Sequence, residues 1–174
     1  QSSQGYLNKI VLHRPNYLFN YSNLGHQRYL TDPDLLTLVD KMYFDATRLG
    51  EVQGNLKAIE PVIRNADMIS IDLSSIRQSE FPGTGHTSAN GFFGNEAAQM
   101  ARYAGLSERL SSIGFYNYNE QLDIRNQGAK LVAQLIWLIC SRRNSLIDHL
   151  LNLSFATVLT ADILKIDLSI WFPC

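Results

Sequence analysis

Apolar runs that end in turn residues alternate along this chain with stretches whose apolar residues recur at helical spacing. That βα rhythm restricts the fold more than any other feature. Met68–Leu73, capped by the acid Asp72, and Leu110–Tyr118 read as strands. So does Tyr17–Tyr21, whose aromatics Tyr17, Phe19 and Tyr21 alternate with other residues as on a half-buried strand. Between the runs, Thr31-Asp32-Pro33-Asp34 is a helix start, with a capping oxygen, an early proline and an acid near the positive end of the helix dipole. The helix continues through Leu35, Leu36, Leu38, Val39 and Met42. A short segment over Phe44–Leu49 is broken by Gly50. Leu56, Ile59, Val62 and Ile63 mark a helix that Pro61 kinks or bounds. Asn95–Ala104 is a helix ended by Gly105. Gln127–Cys140 is a helix with Leu131, Leu135, Ile136 and Ile139 inward. Strands separated by helices predict an α/β fold of three layers, a mostly parallel sheet with helices on both faces.

With 174 residues the chain can bury one core, and one domain is the default. A hydrophobic fraction of 45% and a formal net charge of −1 offer nothing that would draw nucleic acid or an anionic membrane. Cys140 and Cys174 are too few and too far apart for a disulfide framework or a zinc site, and are read as thiols of a reducing, cytoplasmic compartment. The chain opens on Gln1, without a basic segment leading into an apolar core, and is read as a piece of something longer. Beyond residue 140 the pattern changes. Residues 141–174 contain no glycine, and their aliphatics follow almost no period. This apolar tail is expected to form one or two buried helices, or to fit the fold poorly.

The richest stretch for chemistry runs from Asp67 to Gly85, where an apolar run delivers Asp72 to a strand end and a Pro-Gly-Thr-Gly turn follows. Ends of parallel strands are where α/β proteins build their sites. Asp72 has two readings. It is a metal-ligating carboxylate, or it is the acid of an Asx turn or helix cap, with Ser74 and Ser75 bonded to local backbone. Spacing alone favours the cap, because a hard divalent ion needs several converging ligands. Gly83-Thr-Gly85-His86-Thr-Ser88 looks like a dinucleotide loop without its third glycine, but lies about ten residues from its strand, where such a loop should follow at once. Of His13, His26, His86 and His149, none has a second ligand at metal spacing, and only His86, in the glycine turn, stays a site candidate. No G-x-S-x-G elbow or Cys–His arrangement supports covalent catalysis.

Ser70-Ile71-Asp72-Leu73-Ser74 followed by Phe81-Pro82-Gly83-Thr84-Gly85 resembles the signature S-x-D-x-D-x-x-D-P…F-A-P-G-T-G of the ureohydrolases: arginases, agmatinases and formimidoylglutamases. Asn95-Glu96-Ala97 resembles the helix start after that loop, and Ile113–Asn119 the next strand. Asn16–Gly25 and Asp45–Glu51 are similar to a formimidoylglutamase-like branch carrying an I-R-Q-S variant. The resemblance covers residues 6–140. It implies an incomplete arginase-like α/β domain, the C-terminal half, over 1–140; the apolar tail 141–174 does not map onto the resemblance and is expected to belong to the same domain. In full members it implies Mn²⁺ at the strand ends and hydrolysis of a linear amidine or guanidine.

In that scheme Asp72 is a metal ligand. The second carboxylate falls at Ser74, and the third acid and proline at Arg77 and Gln78. The acid that pairs with the substrate's cationic end falls near Asn117, which is neutral and forms no ion pair; Asn117, with His86 of the glycine turn, is kept as a substrate-binding position. The upstream motifs G-G-x-H and D-x-H-x-D do not occur in the chain. Two readings follow. One is a manganese hydrolase whose remaining ligands lie in a missing N-terminal half, this chain being inactive alone. The other is a degenerate, non-enzymatic structural or oligomeric module, in which Arg77 places a fixed cation where the metal would sit.

Overall fold

The computed structural model describes His13, residues 18–141 and the strand Ile163–Asp167, and divides into two compact units, Gln1–Val52 and Gln53–Cys174. In the first unit, strand β1 (Ser22–His26) pairs in parallel with β2 (Asp45–Arg48), from Ser22 opposite Asp45 to His26 opposite Arg48. Helix α1 (Pro33–Lys41) connects them, as a crossover between parallel strands requires. Asp32 caps α1 by accepting from the Asp34 backbone N at 3.0 Å, and proline stands in the first turn, where its missing N–H costs nothing. The chain then reverses at Tyr43, whose φ of 57° is left-handed. It enters β2 with Asp45 N donating to Tyr21 O at 3.0 Å.

The first strand is therefore not at Tyr17–Tyr21. Tyr17 lies outside the described residues, Phe19 is fully exposed, and Tyr21 instead packs its ring, tilted by 59°, against Phe44 with centroids 5.9 Å apart. Pairing partner, rather than local β propensity, selects Ser22–His26. The short segment expected over Phe44–Leu49 holds β2, but Gly50 is not what ends it, since the chain passes at Leu49 into helix α2 (Leu49–Gly54) with Gly50 inside.

In the second unit a 3₁₀ turn over Leu56–Ile59 leads into α3 (Glu60–Arg64), with Pro61 in its first turn. The expected single helix is thus two short segments, and proline bounds the second. Strand β3 (Met68–Asp72) pairs in parallel with β4 (Ser112–Tyr116), Met68 opposite Ser112 through Asp72 opposite Tyr116. β4 is the better buried of the two: Ile113, Gly114 and Phe115 are buried, whereas Met68 and Ser70 of β3 are exposed. The buried strand expected over Met68–Leu73 is in fact half-exposed. Between the strands lies α4 (Gly94–Gly105), and after β4 comes α5 (Gln127–Cys140).

Helices α4 and α5 pack together, burying Ala97, Ala101 and Ala104 on one and Val132, Leu135 and Ile139 on the other. Leu131 and Ile136 are only half-buried. Gly105 ends α4 but serves the packing as well: a Cβ there would stand 2.7 Å from the Ile139 carbonyl of α5. Strand β5 (Ile163–Asp167) pairs antiparallel with β4, giving the order β3-β4-β5. A strand at this point replaces the helix expected in the tail, and the rest of 142–174 lies outside the described residues. The result is an α/β fold with parallel pairs β1–β2 and β3–β4 and one antiparallel edge. Among the described residues no helix is long and apolar enough to cross a membrane.

Candidate functional site at the ends of two parallel strands

Because β3 and β4 are parallel and in register at Asp72 and Tyr116, both chains leave the sheet at the same end. Leu73, fully buried, pins the 3₁₀ turn Leu73–Ser75 that follows β3. Asp72 caps that turn. Its Oδ1 accepts from the Ser74 backbone N at 2.9 Å, from the Ser74 Oγ at 2.6 Å and from the Asn117 Nδ2 at 2.9 Å. Ser75 Oγ donates to the Asp72 carbonyl at 2.6 Å. Asn117 comes one residue after β4, at a φ of 66°, a left-handed conformation that asparagine tolerates better than most residues. Three of the positions singled out in the sequence, Asp72, Ser74 and Asn117, thus meet at one corner.

Arg77 does not join them. Its guanidinium lies over the Phe93 ring at 3.2 Å from the centroid, and its Nη2 donates to the Gly91 carbonyl at 3.3 Å. The fixed cation envisaged beside Asp72 is therefore committed to a different contact. Arg77 stands at the base of the loop that carries the glycine turn. That base is closed by Arg77 N to Phe92 O at 3.1 Å, Phe92 N to Ser75 O at 2.8 Å and Gln78 N to Ser88 O at 2.9 Å. Gly91 lies where a Cβ would meet Ser75 O at 2.5 Å, so only glycine passes there. His86 is exposed on this loop, its backbone N donating to Thr84 Oγ1 at 3.3 Å.

Two carboxylates beside the loop organise helix starts. Glu80 accepts from the backbone N of Gly94, the first residue of α4, and Glu96 reaches back to the Phe93 N at 2.9 Å while accepting from Gln53 Nε2 at 3.0 Å. Asp123, buried, does the same for α5: Oδ1 accepts from Gly128 N and Oδ2 from Ala129 N, both at 2.8 Å. Tyr118 OH donates to Asp123 Oδ2 at 3.0 Å. Burial first, then this hydrogen bond and the nearby carboxylates, push the Tyr118 phenol up to about 12. Sequence reading missed this pair. The signal was an acid shortly before an apolar helix, but the left-handed Arg125 and Asn126 fold the chain back and place that acid further upstream than an ordinary cap.

A manganese ion of the arginase type needs several anionic or imidazole ligands around one point. Among the described residues no group of three His, Cys, Asp or Glu side chains converges in that way. At the corner itself one carboxylate faces a hydroxyl and an amide nitrogen, and the amide turns its donors, not its oxygen, toward the acid. The residues present do not fit a metal cage.

A profile of the Arginase family matches residues 25–141. The chain belongs to the arginase family. No curated protein sequence matches it significantly. Among solved structures it is similar to formimidoylglutamase from Bacillus subtilis, with a TM-score of 0.62 and 17% identity over 69% of this chain and 40% of that one. It is also similar to Trypanosoma cruzi formiminoglutamase, solved oxidized with Mn²⁺, with a TM-score of 0.60 and 19% identity over 65% of this chain and 41% of the other. Arginase from Bacillus caldovelox gives 0.57 and 20%, over 62% and 39%. The fold is arginase-like, and the chain spans about two fifths of the length of these structures.

Proposed function

We propose that this chain is the carboxyl-terminal part of a ureohydrolase-type protein whose chemistry is hydrolysis of a linear amidine or guanidine. In this reading the chain supplies the sheet and the loops at its strand ends but no manganese cage of its own, and is inactive by itself. The family match over residues 25–141 and the two formimidoylglutamase neighbours support the reaction class. The observation that carries the second half of the proposal is Asp72: a lone carboxylate whose Oδ1 is occupied by Ser74 and Asn117. Further metal ligands would have to come from beyond the described residues, with Asp72 contributing Oδ2 at most. His86 and Asn117 are the positions here that would face a small substrate.

The experiment is metal analysis of the longest expressible form of the protein, with release of urea from arginine and of formamide from formiminoglutamate assayed in parallel. Bound manganese with turnover by the longer form, and neither in the 174-residue chain, is the expected outcome. Turnover by the 174-residue chain, or none by the longer form, would overturn it.

A second reading, a non-enzymatic structural or oligomeric module on the same fold, is favoured by Arg77. Its guanidinium is held by Phe93 and Gly91, so the position of the family's third acid serves loop packing. A longer form without metal and without turnover would select this reading.

A further inference from the structure

We infer that Asp72, Ser74 and Asn117 form a latch, a hydrogen-bonded clasp between the ends of β3 and β4 that occupies the corner with neutral donors. Asp72 is the last residue of β3, and Asn117 follows the last residue of β4. The two strands are in register up to Asp72 opposite Tyr116. Beyond that pair the backbones part, one into the 3₁₀ turn and the other toward Tyr118, and no backbone ladder holds them. The Asn117 Nδ2 to Asp72 Oδ1 bond, at 2.9 Å and 45 residues apart in sequence, bridges the gap. Ser74 holds the same oxygen from the other side with its N and Oγ, so the carboxylate is fixed by its own turn before it reaches across.

Each partner suits this task. An oxygen accepting two or three donors, one of them backbone, is a strong acceptor. The left-handed backbone at Asn117 starts the turn away from the sheet, and its amide supplies the donor that a carboxylate at this position would lack. Replacing either neutral donor by an acid would set like charges against Asp72, which is tolerable only with a cation between them. The clasp depends on the corner not holding a metal, and so rests on that part of the function proposed above.

The test is a double-mutant cycle on the 174-residue chain, read by thermal unfolding. Asn117→Gly removes the amide and keeps the positive φ available; its effect on the unfolded chain is common to both backgrounds of the cycle, so the difference between backgrounds reports the clasp. The midpoint falls by roughly 2–4 °C more in the wild-type background than in an Asp72→Ala background. If Asp72→Ala does not fold, Asp72→Asn replaces it and the loss shrinks without changing sign. Unfolding of the wild type is repeated with MnCl₂ and with EDTA, and the midpoint stays the same. An Asn117→Gly variant as stable as wild type, or a loss equal in both backgrounds, would overturn the clasp alone. A rise with MnCl₂ that Asp72→Asn abolishes would overturn both the clasp and the metal-free reading of the corner.

Discussion

Asp123 shows how much one buried carboxylate can organise in this protein. It accepts the two backbone N–H groups of Gly128 and Ala129 that α5 leaves without intrahelical partners, and the Tyr118 hydroxyl besides. Truncation to alanine leaves three donors to find water in a site that is largely closed. Asp123→Ala is expected to cost about 2–3 kcal/mol in urea unfolding, and Asp123→Asn less, since its single oxygen satisfies part of the set. The phenol responds to pH in a defined direction. Its folded value, about 12, lies above the ordinary 10 of an unfolded tyrosine. The hydroxyl's contribution is therefore complete below pH 10 and is lost as the pH rises from there through 12. Unfolding free energy measured from pH 8 to 11.5 should fall at the alkaline end, and Tyr118→Phe should flatten that fall. Tyr21, also raised by burial against an opposing bond from Asn23, adds to the slope that remains.

Packing between elements turns on glycines that look alike in the sequence and differ in the fold. Gly105 approaches α5 so closely that an added methyl would sit 2.7 Å from Ile139 O and 3.0 Å from Leu138 O, both backbone atoms that cannot swing away. Gly105→Ala should destabilise the protein by about 1–3 kcal/mol by pushing α4 and α5 apart. Gly50, in α2, has nothing within 4 Å of the same methyl. Gly50→Ala should stabilise by up to about 1 kcal/mol through the unfolded chain and helix propensity, and equilibrium unfolding of the two variants should move in opposite directions. No sequence pattern separates these cases. What sequence does reveal is local: the Asp32-Pro33 helix start and the full span Gln127–Cys140 were legible because caps and 3.6-residue spacing act within a few residues. The strand Ser22–His26 was not, because Ser-Asn-Leu-Gly-His has little β propensity and becomes a strand by pairing with β2. The candidate site divides in the same way. Asp72 at a strand end and a glycine loop beyond it could be read directly, but the bond from Asn117 joins residues 45 apart, and the diversion of Arg77 to Phe93 depends on how the loop closes.

Seen whole, the chain carries large apolar side chains to its surface with little net charge to keep copies apart. Trp137 is 52% exposed on α5, Ile124 is 66% exposed just before it, and Met68 is 66% exposed on β3, against a formal charge of −1. Single exposed apolar residues are ordinary, but a chain near neutrality has no long-range repulsion to oppose their meeting. The 174-residue chain is therefore expected to self-associate with rising concentration at neutral pH in sedimentation velocity. Trp137 is the side chain to test. Its neighbours in sequence divide between the α4-facing residues Leu135 and Ile139, which are buried, and the exposed Gln134, so the indole lies on the open side of α5. Trp137→Glu then removes apolar surface and adds repulsion without touching the α4 interface. It should lower the association measured by sedimentation while leaving the unfolding midpoint of the chain within a few degrees of wild type. Unchanged association would assign the contact to other residues, and a large fall in midpoint would show that Trp137 is covered by part of the chain itself.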